Sequence, residues 1–455
     1  MTKILVSVHA LIWGAPALVL ILGVGLYISF RTGFVQIRLL PRALCDFVRK
    51  LTGREKQTEG VSSFQALCTA LAATVGTGNL VGVAGAICLG GPGTVFWMWI
   101  CGILGMVTKY AEVLLAVRYR VRLGTEYVGG SMYIICRGMG HRWKWLAVIY
   151  SLFGIAASFG VGNATQINAV LSGINDVLRY FGFPQSSLRN FGIGLLLAVL
   201  VGTMLLGGVR RIGQTAEKLI PLVSAAYIIL CIGVLILRRH WIGEAFSAII
   251  QGAFSPRAVT GGVLGSAFQA LKVGCSRGVF TNEAGMGTAS IAHAAAHTDH
   301  PVQQGLMGIM EVFLDTILIC TLTALVILVS GVPIPYGTDG GSHLTVTAFS
   351  SVYGGWVCVF LAIALCCFAF ATVLGWGLYG ARCCQFLFGE KAWNTFAILQ
   401  TITVVFGAVM HTETVWLMAE TVNGLMAIPN LIAMATLSTE VVRLTKEYIQ
   451  KIRLT

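Results

Sequence analysis

The sequence predicts an all-α integral membrane protein of eleven membrane-spanning helices, and three observations carry that prediction. The 455-residue chain has a mean hydropathy of +0.82 with only 11% charged residues, far fewer charges than a soluble domain carries. Its apolar residues run in long blocks, each long enough to cross the hydrocarbon core as a helix. Two of these blocks are interrupted by glycine-rich segments in matching positions of the chain.

In order, spans are expected at 8–30, 63–88, 94–117, 145–175, 190–208 and 214–237. Five more follow at 260–297, 303–331, 354–380, 392–410 and 414–438. The first run, 8–30, is too long for a signal-peptide core and reads as a retained helix. Behind it lie two five-helix halves, 63–237 and 260–438, and a basic cytoplasmic tail, 439–455, all in one membrane domain. Residues 332–352 form an outside loop with room for a short lid-like helix.

A formal net charge of +13 would suit nucleic acid, but its distribution argues against that partner. Seven Lys and Arg residues fall in 31–60 and six in 118–144, between hydrophobic spans, where cytoplasmic loops carry them. The opposite side holds only Lys3, Arg179, Arg189, Arg238, Arg239 and Arg257. The N-terminus is therefore expected outside and the C-terminus in the cytoplasm. Thirteen cysteines, most of them inside spans, form no CxxC pair, so neither a disulfide framework nor a zinc site is indicated.

The first interruption is Gly76-Thr77-Gly78-Asn79 within LAATVGTGNLVGVAGA. Glycine costs a helix interior roughly 1 kcal/mol relative to alanine, and unsatisfied backbone groups are not tolerated in lipid. A break there must line a cavity or be buried in protein. The second interruption lies in VGCSRGVFTNEAGMGTAS, with Gly274, Gly278, Gly285 and Gly287. Paired breaks in two five-helix halves point to an inverted-repeat solute site of the kind secondary transporters use.

Charges inside spans are costly and functional by default. Glu311 and Asp315 lie four apart on one helix face and read either as anchors of an inside gate or as coupling groups. Arg277 and Glu283 flank the second break and are expected to form a network that holds it. Lys109 and Glu112, three apart, read as a structural pair. His293, His297, Asp299 and His300 imitate a metal cluster, but no HExxH glutamate accompanies them, so no metal beyond an alkali cation is expected.

Four stretches then become specific: ATVGTGNLVGVAGAICLGGPGTVFWMWICGILGMVTKYAEVLLAVRYR (73–120), SRGVFTNEAGMGTASIAHAAA (276–296), FAFATVLGWGLYG (368–380) and NGLMAIPNLIA (423–433). Together, and in this order, they resemble the alanine or glycine:cation symporter family. The resemblance implies a leucine-transporter-like 5+5 inverted repeat preceded by one extra N-terminal helix. It implies symport of a small neutral amino acid with sodium, with a proton as the alternative ion, across a bacterial or archaeal plasma (inner) membrane. It implies no enzyme activity and no cofactor beyond the coupling ion.

Carried onto this chain, the resemblance places the substrate carboxylate at the backbone of Gly76, Thr77 and Gly78, where a half-helix N-terminus offers free N–H groups. Asn79 and Gln166 would supply amides, and Trp376 a pocket wall that limits the substrate side chain to about a methyl group. Carbonyls near Ala72 and Val75 with the Thr372 hydroxyl would hold the cation. The family usually reads closer to FAFSTxxGWSYYGE, whereas this chain has Ala371, Gly377 and Ala381 in place of Ser, Ser and Glu. The missing hydroxyl at Ala371 bears on the choice between sodium and proton. A same-fold carrier of glutamine or serine, or an intramembrane enzyme, are the alternatives.

Overall fold

The computed structural model describes residues 9, 12, 14–53, 60–254, 267–338, 341–409 and 413–454. Its helices, in chain order, are α1 Ala15–Thr32, α2 Leu40–Leu51, α3 Ser63–Thr74, α4 Gly78–Gly90, α5 Thr94–Tyr119, α6 His141–Arg179, α7 Ser187–Leu206, α8 Gly208–Leu237 and α9 Ile242–Phe254. After these come α10 Ala267–Asn282, α11 Thr288–Ala294, α12 Pro301–Val329, α13 Gly341–Tyr353, α14 Val357–Phe388, α15 Ala392–Val409, α16 Glu413–Thr436 and α17 Ser438–Leu454. A two-stranded antiparallel hairpin, β1 Val121–Leu123 and β2 Glu126–Val128, sits in the basic loop after α5.

Among the described residues, seven helices are long and apolar enough to cross a membrane, or nine if each of two bent pairs is one span. The expected eleven are thus not all found. The start of the expected 8–30 and 260–297 spans lies mostly outside the described residues. The second break further divides its span into helices of 16 and 7 residues. One bent pair is α3 with α4, at 50°; the other joins α16 to α17, at 59°. The tail that follows α16 is therefore a helix, and Val441, Leu444 and Tyr448 on it are buried. It packs on α1, α5 and α12, and Tyr110 and Thr445 share a 2.8 Å hydrogen bond.

Helices α5, α3 and α12 form the interior, with α14 against α3 and α6, and α10 against α5. Small side chains permit this closeness, as in membrane bundles generally. A Cβ on Gly25 of α1 would meet the Leu104 carbonyl of α5 at 3.1 Å, and one on Gly375 of α14 would meet the Ala73 Cβ at 2.9 Å. Outward faces stay apolar, with Leu195, Leu196 and Val199 on α7 and Leu222, Ile229 and Ile236 on α8 exposed. On a water-soluble protein such faces would mark an interface; here they belong to lipid.

Candidate functional site at the two helix breaks

Helix α3 starts with a capping box. Ser62 Oγ accepts from the Gln65 N–H at 3.0 Å, and Gln65 Oε1 accepts from the Ser62 N–H at 3.1 Å. Its run of alanines then ends at Val75, which is extended (ψ 108°), and the chain resumes through a π-turn at Gly78–Gly82. The unwound backbone is satisfied from outside the helix. Asn79 Oδ1 accepts the Gly76 N–H at 2.8 Å, while Asn79 Nδ2 donates to Asp315 Oδ1 at 2.7 Å and to the Asp315 carbonyl at 3.2 Å. Thr345 of α13 donates to the Leu80 carbonyl at 2.7 Å. Gly76 through Asn79 are thus placed together, but the Asn79 amide is committed to the protein in this conformation.

The cation candidates also converge in part. Thr372 Oγ1 of α14 lies 3.0 Å from the Ala72 carbonyl and 3.0 Å from its own helix's Phe368 carbonyl. A Cβ on Gly76 would sit 3.1 Å from the same hydroxyl oxygen, so no other residue fits there without displacing it. Ala72, Val75 and Thr372 are all buried. Neutral oxygens in this arrangement suit a hard cation.

The second break spans Glu283 to Gly287, where Glu283 (φ 52°), Gly285 (φ 93°) and Gly287 (φ 79°) take the left-handed region. Gly287 has no space for a Cβ, which would fall 2.0 Å from Ser131 Oγ. The non-glycine Glu283 is held there by its carboxylate. Trp376 Nε1 donates to Oε1 at 3.1 Å, and Thr288 Oγ1 donates to Oε2 at 2.7 Å. Trp376 is fully buried and rests on the π-turn Gly160–Ala164 of α6, where a Cβ on Gly162 would lie 2.2 Å from the Trp376 Cβ. Gln166, one turn onward, donates to the Val161 carbonyl at 3.1 Å. Its Oε1 is buried without a protein partner, an acceptor open to a ligand.

The charged candidates are arranged differently from the sequence expectation. Lys109 does not pair with Glu112. It lies 2.9 Å from Glu311, and His293 Nε2 is 3.2 Å from the other Glu311 oxygen. Glu112 instead reaches the second break and accepts from the Gly285 N–H at 2.7 Å. Arg277 does not join Glu283. It lines an open cavity of about 260 Å³ with His9, Lys272, Ser276, Phe280 and Glu420. Gly274 and Gly278 are packing residues within α10, against Thr94 and Cys101 of α5. His300 leaves the histidine cluster to cap α12, its Nδ1 accepting the Val302 N–H at 3.2 Å.

Several contributors escaped the sequence reading. Asn430 donates to Glu112 at 2.8 Å and to the Gly285 carbonyl at 2.9 Å; its place in the NGLMAIPN motif was the available signal. Glu112 reads in the sequence as the structural partner of Lys109, not as an acceptor for the second break. Thr345 carries no local signature at all.

By its family and curated relatives the chain is a transporter rather than an enzyme. The chain matches the sodium:alanine symporter family over residues 1–454, and it belongs to that family. It is 40% identical to the sodium/alanine symporter AgcS of Methanococcus maripaludis, over 97% of this chain and 96% of that one. It is 37% identical to the probable sodium/glutamine symporter GlnT of Bacillus subtilis, over 96% and 88%. Its fold is similar to that of MhsT, crystallised with L-phenylalanine, at a TM-score of 0.57 and 15% identity, covering 86% of this chain and all of that one. In class, then, the chain is a multi-pass, sodium-coupled amino-acid symporter of the plasma membrane.

Proposed function

We propose that this symporter drives inward movement of alanine, glycine or a similarly small neutral amino acid with sodium. The observation that carries the reading is the approach of Thr372 to the Ala72 carbonyl at 3.0 Å, directly beside the Gly76–Asn79 break. The cation would replace that hydrogen bond, coordinated by the Thr372 hydroxyl and the carbonyls of Ala72 and Val75. The substrate carboxylate would meet the N–H groups of Thr77 and Gly78 and take the place of Asn79 Oδ1 on the Gly76 N–H, so the two ligands share one piece of backbone. Gln166 Oε1 is an acceptor for the ammonium group, and Trp376 closes the pocket against longer side chains.

The driving force is sufficient. One cation moving through about 100 mV contributes roughly 2.3 kcal/mol, and a tenfold sodium gradient adds about 1.4 kcal/mol. At one-to-one coupling that supports accumulation of several hundred-fold. The lysine and arginine distribution favours a cytoplasmic C-terminus, which makes the end of the bundle that carries His9 and Glu420 the outer one.

One residue supports a second reading. Position 371, just before Thr372, is a buried alanine with no hydroxyl to offer an ion, which favours either a weak sodium site or a proton. A competition panel separates the substrates: labelled alanine uptake under an inward sodium gradient, challenged with glycine, serine and glutamine. Competition by glycine and serine but not glutamine supports the small-substrate assignment. Stronger competition by glutamine than by glycine would overturn it.

A further inference from the structure

A set of buried charges that touches neither the cation candidates nor Gln166 reaches both helix breaks. Lys109, Glu112, His293, Glu311 and Asp315 are each fully buried. Asp315 and Glu311 lie one turn apart on α12, where a π-segment runs from Phe313 to Cys320; such segments recur at functional sites. Asp315 holds Asn79 of the first break at 2.7 Å. Glu311 contacts Lys109 of α5 at 2.9 Å and His293 of α11 at 3.2 Å.

The chain of partners continues in both directions. Gln304 Nε2 lies 2.6 Å from His293 Nδ1, and Gln304 Oε1 accepts a short hydrogen bond from Ser63 at the start of α3. With the Gln304 amide donating to Nδ1, the His293 proton sits on Nε2 and is donated to Glu311. Three residues beyond Lys109, Glu112 accepts from the N–H groups of Gly285 and Gly287 at 2.7 and 3.3 Å. One end of the set therefore meets unwound backbone directly, at Gly285 and Gly287, and the other reaches it through the Asn79 side chain, whose Oδ1 accepts the Gly76 N–H.

We infer that Lys109, Glu112, Glu311 and Asp315 form a strut that makes the two breaks reorganise together, so that cation binding at the first break sets amino-acid affinity across both. The inference rests on the sodium-coupled reading above. Its physical basis is that a buried carboxylate deprived of its hydrogen-bond donors is strongly destabilised, so neither break can pull away from Asp315 or Glu112 while those carboxylates stay behind. A ligand shifts such an arrangement only by binding one state better than the other. The Gly76–Asn79 segment lies between Thr372 on one side and Asp315 on the other, which gives an ion at Thr372 that leverage. These four are positioning residues and touch neither ligand.

The test measures alanine affinity of the purified full-length protein with and without saturating sodium. In the parent, sodium is expected to tighten alanine binding about tenfold or more, within the range of allosteric couplings. In Asp315→Asn, and in Lys109→Gln combined with Glu311→Gln, the factor is expected to fall to about two or less, with sodium-free alanine affinity little changed. A folded variant of either kind that keeps the parental factor overturns the strut; a merely structural role would lower thermal stability and leave the factor alone. Hydrogen exchange on the parent tests it without substitution: sodium alone should protect the amides of Gly285 and Gly287 together with those of 76–79. Protection confined to 76–79 contradicts the strut. If the parent binds alanine without any sodium effect, the sodium-coupled reading is what fails.

Discussion

The indole nitrogen of Trp376 lies 3.1 Å from the Glu283 carboxylate, so the expected pocket wall on α14 is fastened to the unwound backbone of the second break. Trp376→Phe keeps most of the ring and removes that donor. A buried acceptor left short of a partner costs about 1–3 kcal/mol, so an alanine KM about tenfold higher is expected at constant sodium. Trp376→Ala should in addition admit glutamine and other larger neutral substrates, read as a change in competition profile.

Thr372 separates the ion from the substrate. In Thr372→Val the hydroxyl is replaced by a methyl group, and sodium half-saturation of alanine uptake should rise about tenfold, the equivalent of about 1.4 kcal/mol. Thr372→Ser should restore it. At saturating sodium the valine variant should recover most of its uptake, because the Gly76–Gly78 backbone is untouched.

The Asn79 side chain has four bonds to lose, to the Gly76 N–H, to two oxygens of Asp315 and, at 3.3 Å, to Cys320 Sγ. Asn79→Ala should lower the unfolding free energy by about 3 kcal/mol or more, at roughly 1 kcal/mol or above for each buried bond, and abolish uptake. Thermal shift in detergent and uptake in vesicles check the two parts.

Gly162 tests packing alone. A Cβ there would lie 2.2 Å from the Trp376 Cβ, and overpacking of this kind costs about 1–3 kcal/mol. Gly162→Ala should lower the melting temperature and raise the alanine KM together, since the displaced ring also loses Glu283. Gly192→Ala on α7, where nothing lies within 4 Å of the added methyl, should do neither.

Much of the architecture was legible because long apolar runs and glycine interruptions are local features. The GTGN break was visible for that reason, and so were the bounds of α5, α12 and α15 to within a few residues. The glycines of the second interruption looked alike in sequence, yet Gly274 and Gly278 serve close approach to α5 while Gly285 and Gly287 turn the backbone. Only the neighbouring helix decides which. The same holds for Lys109: at i, i+3 from Glu112 it invited a local pair, but the closer partner is Glu311, about 200 residues away on α12. Thr345 caps a carbonyl freed by the π-turn, and a π-turn has no sequence period to announce it. Helices α2 and α9 lie between the long apolar runs, in segments whose sequence reads as loop.

The coupling ion at Ala72 and Thr372 is the most direct point of attack. Purified protein in proteoliposomes should take up labelled alanine under an inward sodium gradient with no proton gradient, and Thr372→Val should shift the sodium dependence. Uptake driven by protons alone, unaffected by sodium and by Thr372→Val, would contradict it.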